Sequence, residues 1–282
     1  MKAAEDNATV EAAVRVSNPD GKSAFIIVCD HASNHIPAEF GTLGLDAASL
    51  SSHIAWDPGA IEVARRLSDR LDATLVESSV SRLVADCNRP LDAHDLVPER
   101  SELTVIPGNT GLSVEGRERR IALAHAPFHE RLARVVDDRL AQSRETLLVA
   151  IHSFTPVFMG VPRPWQVGVI HDGDMALARP VMDALLTEKD LDVGDNEPYS
   201  PADRVYYTLE RHARALGLRA VMIEIRNDEI RTDAGQSLWG DRLAAILSGI
   251  AAPQSGEAKI TTKEGGKIQP DAGGIRRQTM GR

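Results

Sequence analysis

His31, Asp57 and His152 are residues of the kind that hold a divalent transition metal. Two imidazoles and one carboxylate suit zinc, with a fourth position left to water. Water at such a site has a pKa near ~7, so hydroxide is available at neutral pH. His31 follows the apolar run Phe25–Cys29, His152 ends the run "LLVAIHS", and Asp57 lies in "HIAWDPGA", just before a helical pattern. Each has an ordinary reading as well. Asp57 can cap a helix, His152 can be a hydrogen-bonded histidine at the core edge, and Asp30 to Pro37 can be a loop of turns.

Glu224 interrupts the apolar stretch "AVMIEIR". A carboxylate buried there alone is costly. Arg226 can pair with it, because residues two apart share a strand face. Alternatively Glu224 is a general base that deprotonates the attacking water and then protonates a leaving nitrogen. In "SRLVADCNRP", Arg82, Asn88 and Arg89 supply guanidinium forks and an amide around a strand end. Such donors suit a small anionic substrate such as an acyl amino acid, or else a surface network around Asp86. Arg226, or Arg82 if it faces inward, is the candidate oxyanion donor, a role worth roughly 3–4 kcal/mol. Asn196 and Tyr199 in "DNEPYS" lie on a loop positioned to cover such a site.

Other groups point less clearly to chemistry. His125 and His129 in "HAPFHERL" are spaced i, i+4, but Pro127 lies between them and no zincin glutamate accompanies them. His35, His53, His94, His171 and His212 lack a strand-end setting and read as solvated or capping. The chain has no G-x-S-x-G elbow, no Walker A sequence and no G-x-G-x-x-G after a strand.

These residues need a scaffold that brings distant strand ends together. Phe25–Cys29, Ala73–Glu77, Arg82–Ala85, Leu147–Ile151, Gln166–Ile170 and Ala220–Ile225 read as strands. Between and after them, Ile61–Leu71, Gly116–Leu140, Asp174–Leu186, Val205–Gly217 and Ala234–Ile250 read as helices, with Pro127 interrupting or restarting the second and Gly217 capping the fourth. The alternation predicts βαβ units and a sheet covered on both faces, with ligands at the carboxyl ends of its strands.

The 282 residues, 43% of them hydrophobic, suffice for one large domain over 21–252. A loosely held segment is expected over 1–20. A disordered tail is expected over 253–282, where Gly, Lys, Gln and Thr replace any apolar period. A formal net charge of -9, without a basic block, argues against nucleic acid. No apolar run reaches the ~20 residues of a membrane span, and the N-terminus has no secretory h-region. Cys29 and Cys87 cannot form a disulfide framework. Two buried thiols and a cytoplasmic location are expected, and nothing indicates the oligomeric state.

Together "CDHASNHIP", "HIAWDPGA", "SRLVADCNRP", "IPGN", "HAPFHERL", "AIHSFTPVFMG", "VGDNEPYS" and "IEIRND" resemble the N-formylglutamate amidohydrolase family, from about Phe25 to Ile250. The resemblance implies a three-layer α/β/α sandwich with a mixed, mostly parallel central sheet. It also implies a zinc or other divalent metal enzyme that cleaves the C–N bond of an N-acyl amino acid, releasing formate and glutamate in the namesake reaction. His31 and His152 match family histidines, and Asp57 falls where members carry histidine or aspartate. Asn88-Arg89 matches a carboxylate-gripping Asn-Arg pair, and Glu224 takes the place of a catalytic glutamate. The wider group's H-x-x-E motif would place glutamate at 34, where this chain has Asn34. Asp57 is therefore taken as second ligand, with Asn34 or Asp30 as alternatives. Other readings are an amidase for a different N-acyl amino acid or peptide-like substrate, and a non-catalytic carboxylate-binding relative.

Overall fold

A computed structural model describes residues 13–251. Seven strands form the central sheet: β1 (Val14–Ser17), β2 (Phe25–Cys29), β3 (Thr74–Ser78), β4 (Leu147–Phe154), β5 (Val167–Ile170), β6 (Val193–Asp195) and β7 (Ala220–Arg226). Their spatial order is β1-β3-β2-β4-β7-β5-β6. The four strands β3, β2, β4 and β7 run parallel, β1 and β5 are antiparallel to their inner neighbours, and β6 is parallel to β5. The sheet is thus mixed and mostly parallel, as expected.

Side chains alternate across it, and each face builds its own core. Ile27, Val149 and Ile223 pack on one face under α1 (Ala60–Leu71), α3 (Met175–Leu185) and α4 (Asp233–Ala251). Ile26, Leu148 and Met222 pack on the other under α2 (Ala126–Ala141) and the helix Tyr207–His212. Continuous burial along β2 and β4 explains why their sequences are apolar runs rather than alternations. The helices on both faces complete the three-layer sandwich.

From β2 the chain crosses through α1 to β3 on one side, and β4 then lies on the other side of β2. This reversal opens a crevice at the carboxyl ends of β2 and β4, where α/β sheets place ligands. Register aligns the crevice. Val28 lies opposite Ala150, which carries Asp30 to the level of His152, and His152 lies opposite Glu224.

Two local expectations give way. Arg82–Ala85 is a run of turns instead of a strand. Ser81 Oγ accepts from the Leu83 N–H and donates to the Ala55 carbonyl, while Arg82 folds back on Asp86. Such local bonds compete with a sheet ladder. Within the segment expected to be loose, Val14–Ser17 forms the edge strand β1. Residues 1–12 of that segment, and the tail expected at 253–282, lie outside the described residues.

Pro127 does not break its helix. The helix Val114–Arg120 passes through one wide π-turn, Ile121–His125, into α2. The Ala126 N–H donates to the Ile121 carbonyl, five residues back. Pro127 has no N–H to give and its ring would crowd a carbonyl four residues back, so the wider turn accommodates it. Cys29 and Cys87 are buried and unpaired. Among the described residues no helix is long and apolar enough to cross a membrane.

Candidate active site

Asp57 reaches the crevice because the chain turns sharply before α1. Its backbone N–H donates to the His31 carbonyl at 3.0 Å, and Gly59 takes φ +82° at the helix start. Gly59, not Asp57, is the cap residue. The Asp57 carboxylate is left for the site. Its Oδ2 lies 2.9 Å from His152 Nδ1 and 3.4 Å from His31 Nδ1, and it accepts from the Ser153 N–H at 3.2 Å.

The far nitrogen of each imidazole faces another carboxylate. His31 Nε2 is 2.7 Å from Asp86 Oδ1. His152 Nε2 is 3.3 Å from Asp30 Oδ1, close enough for ion pairing though the two atoms are poorly aligned for a hydrogen bond. Asp30 Oδ2 accepts from the Thr208 hydroxyl. Asp86 also takes Arg82 Nη2 at 2.7 Å and the Asn88 N–H at 2.8 Å.

All five acid and imidazole groups are almost wholly buried. Burial opposes charge on His152, yet Asp30 and Asp57 hold it well above the ordinary histidine range. Against burial and Arg82, the carboxylates of Asp86 and Asp57 raise His31. Burial would raise Asp30, but His152, His31 and Thr208 outweigh it and bring it to about 2. Asp57 and Asp86 likewise fall below the carboxylate range despite burial, Asp57 through His31 and His152, Asp86 through Arg82 and His31.

Glu224 goes the other way. Burial, with Asp57 adding to it, lifts the carboxyl to about 7 against the pull of His152, His31 and Arg82. Its Oε2 has no hydrogen-bond partner among the described residues. A cavity of about 350 Å³ opens onto this group, and Arg82, Asn88, Arg89, Tyr199 and Glu224 line it.

The donor set suits a divalent cation. Two Nδ1 atoms and one Oδ2 converge, and these three residues can bring one ligand atom each to within 4.8 Å of one another. Of the Nδ1-to-Oδ2 spacings, the 3.4 Å to His31 matches the ~3.4 Å edge of a tetrahedron with bonds of about 2.0–2.1 Å, and the 2.9 Å to His152 is shorter. Carboxylates behind both imidazoles fix ring orientation and tautomer. With neutral histidines, the three buried carboxylates of Asp30, Asp57 and Asp86 against the single charge of Arg82 leave two negative charges uncompensated. That is the charge of one such ion.

The structure brings His31, Asp57, His152, Arg82 and Glu224 together, and of the residues weighed as second ligand only Asp57 faces both imidazole Nδ1 atoms. Asn34 is exposed and donates to the Leu50 carbonyl, away from the site, while Asp30 stands behind His152. Asn88 lines the cavity, and each polar atom of its amide holds one backbone partner. Nδ2 donates to the Val205 carbonyl and Oδ1 accepts from the Thr208 N–H at 3.0 Å. Arg89 lines the cavity while Nε binds Asp95 at 2.8 Å.

Arg226 is a correction. Its guanidinium serves Asp228, Glu229 and the carbonyls of residues 163–165, and it does not line the cavity. It pairs with carboxylates beyond the strand instead of with Glu224.

His212 is another correction. Expected to be solvated or capping, it is buried and its Nε2 lies 2.8 Å from His129 Nδ1. His129 Nε2 donates to the Cys87 carbonyl and His125 Nε2 to the Arg89 carbonyl, so the "HAPFHERL" histidines brace the turn that carries Asn88 and Arg89. Sequence reasoning named Asp86 and Asp30 without seeing that they orient the imidazoles. Asp30 immediately preceding His31 was the available signal.

The fold and site together make a three-layer α/β enzyme scaffold with a buried carboxylate–imidazole group and an opposed glutamate at the switch point of its sheet. The chain belongs to the N-formylglutamate amidohydrolase family, whose model matches residues 23–231, and is accordingly an amide hydrolase. A gene product of Agrobacterium tumefaciens is 43% identical over 86% of this chain and 96% of its own, with a TM-score of 0.83. The N-formylglutamate amidohydrolase of Ralstonia eutropha is 20% identical over 85% of this chain and 97% of its own, with a TM-score of 0.61, and shares the fold. Among curated proteins the chain has no match.

Proposed function

We propose that this chain is a metal-dependent amidohydrolase acting on a small anionic N-acyl amino acid of the N-formylglutamate type. The observation that carries the reading is the buried His31–Asp57–His152 group, whose donors converge on one point and which carries two negative charges in excess once both histidines are neutral. His31, Asp57 and His152 would hold zinc or another divalent transition metal. When bound, such an ion supplies Lewis acidity to a carbonyl oxygen and makes water acidic near neutral pH.

The chain's own groups supply the rest. Glu224, near half-protonated at neutral pH, accepts the proton of the attacking water and passes it to the departing nitrogen. Arg82, fixed between Asp57 and Asp86 with its head partly open to the cavity, donates to the oxyanion. Arg89 meets a substrate carboxylate, and Asn88 holds its turn in place through Val205 and Thr208.

The test is hydrolysis of N-formylglutamate by the purified chain, with metal analysis before and after chelation. Bound divalent metal is expected, with activity lost to chelator and restored by metal. His152→Ala is expected to lose both metal and activity. A protein that takes up no metal and cleaves no N-formyl amino acid would instead be a carboxylate-binding relative without turnover.

A further inference from the structure

We propose that Arg163 is a specificity-determining residue that receives a carboxylate of the substrate; this rests on the reading of the cavity as the site for an anionic acyl amino acid. The arginines around that cavity are mostly neutralised within the protein. Arg82 is held by Asp57 and Asp86, Arg89 by Asp95, and Arg226 by Asp228 and Glu229. A dicarboxylate such as an acylated glutamate brings two negative charges, and Arg89 can meet only one of them.

Arg163 forms no ion pair with a carboxylate of the described residues. Its side-chain hydrogen bond goes from Nη1 to the Tyr199 hydroxyl at 3.1 Å. Its Cζ lies 4.5 Å from the centre of the Phe158 ring, 4.7 Å from that of Tyr199 and 5.8 Å from that of Phe154. Phe158 and Tyr199 both line the cavity that holds His31, Asp57, His152 and Glu224. Burial and the nearby charge of Glu224 raise the Tyr199 phenol, while Arg163 and Arg82 oppose that shift.

Aromatic faces hold a guanidinium by its plane and leave in-plane N–H donors for a planar anion. The clamp also fixes the side chain in advance, so less conformational entropy is lost on binding. Arg100 likewise lines the cavity without a carboxylate partner, but it is exposed and bonds only to Leu103 of its own hairpin. It lacks the aromatic clamp. A guanidinium over aromatic rings without an anion, one hydrogen bond from the cavity wall, is a carboxylate receptor waiting for its ligand.

The experiment measures calorimetric binding of L-glutamate, L-glutamine and L-isoglutamine to the full chain, in the wild type and in Arg163→Gln and Arg163→Lys. Wild type is expected to bind L-glutamate, and Arg163→Gln to weaken that binding roughly 10- to 100-fold, the span of a charge-assisted hydrogen-bonded pair. Arg163→Lys, which keeps the charge without the planar fork, should recover part of the loss. The penalty should vanish for glutamine if the side-chain carboxylate is read, and for isoglutamine if the α-carboxylate is read.

KM for N-formylglutamate should rise by a similar factor in Arg163→Gln, with kcat within about threefold of wild type. Absence of L-glutamate binding in the wild type would overturn the inference. So would an unchanged affinity in Arg163→Gln, or equal losses for all three ligands, as expected of a hairpin brace. If Arg163→Gln does not fold, Arg163→Lys carries the test: a loss seen with L-glutamate that vanishes for one of the two amides supports the role, and an unchanged affinity removes it. Arg163-dependent glutamate binding without N-formylglutamate cleavage would defeat the hydrolase reading alone. Cleavage with a KM indifferent to Arg163 would defeat this inference alone.

Discussion

At Glu224 the register of β7 against β4 sets a carboxyl group level with His152, in surroundings that bring its proton affinity close to neutral pH. Replacement by glutamine keeps size and polarity and removes the titratable carboxyl. Glu224→Gln is therefore expected to lower kcat for N-formylglutamate by about 10²- to 10⁴-fold, the usual worth of general acid–base catalysis, while metal content stays that of wild type. Steady-state kinetics with metal analysis checks this, and a kcat within tenfold of wild type would remove Glu224 from the proton path. Residue types at strand ends pointed to His31, Asp57, His152 and Glu224 because buried polar groups need a reason to be there. Arg226 misled for the complementary reason. Alternation fixes which face a side chain leaves the strand on, but not which of several acceptors past the strand end wins a long, flexible guanidinium.

Among the connecting elements, the corner before α1 is the most demanding. Gly59 has φ +82°, and a Cβ there would stand 2.4 Å from the Ile230 carbonyl oxygen. Gly41 has φ +57° with nothing within 4 Å of an added Cβ. Gly59→Ala should thus cost distinctly more stability than Gly41→Ala, whose penalty is the left-handed backbone alone, of order 1–3 kcal/mol. It should also weaken metal binding by displacing Asp57. Urea unfolding of both variants, with metal titration, checks the comparison; equal costs would mean that the corner relaxes freely. Strands and helices at this scale were largely legible, since apolar runs and three- to four-residue spacings report burial directly. Arg82–Ala85 was not, because bonds from Ser81 and Asp86 decide it, and hydropathy carries no trace of them.

For the molecule as a whole, sheet order and the meeting of β2, β4 and β7 were only implied. Pairing between strands more than a hundred residues apart depends on total packing and leaves no local mark. A sheet covered on both faces followed from the alternation, and the three-layer sandwich with its mixed sheet from the family resemblance. One property of the whole fold follows from the histidines under the second face. Burial lowers His129 well below the ordinary histidine range, with His125 and His212 adding to it, and takes His212 down to about 4, helped by Arg211. The unfolded chain protonates these imidazoles near pH 6.5, whereas the native state keeps them neutral to lower pH. At these imidazoles the unfolded state binds more protons between those values, so their contribution to stability falls as pH drops from about 6.5 towards 4. His212 alone contributes about 3 kcal/mol across that window, at about 1.4 kcal/mol per pH unit. Glu224, lifted to about 7, acts in the opposite sense over the same range, so thermal melts from pH 7 to 4.5 are compared between variants: wild type should decline more steeply than His212→Gln. An equally steep decline in that variant would assign the effect to other groups.

The wide turn at Ile121–His125 has a consequence for the spacing of this helix. Upstream, Arg120 Nη2 donates to the Gly108 carbonyl and Arg117 Nη2 to the carbonyls of Leu91 and Ala93, tying down the chain between Leu91 and Gly108. Downstream, His125 and His129 hold the carbonyls of Arg89 and Cys87. One helix thus grips two neighbouring stretches of one wall, and the extra residue in its π-turn sets the rotational phase between the grips. Without that extra residue, Arg117 and Arg120 would swing by about 100° relative to the histidines. The irregular turn behaves as a phase adjuster between the two grips.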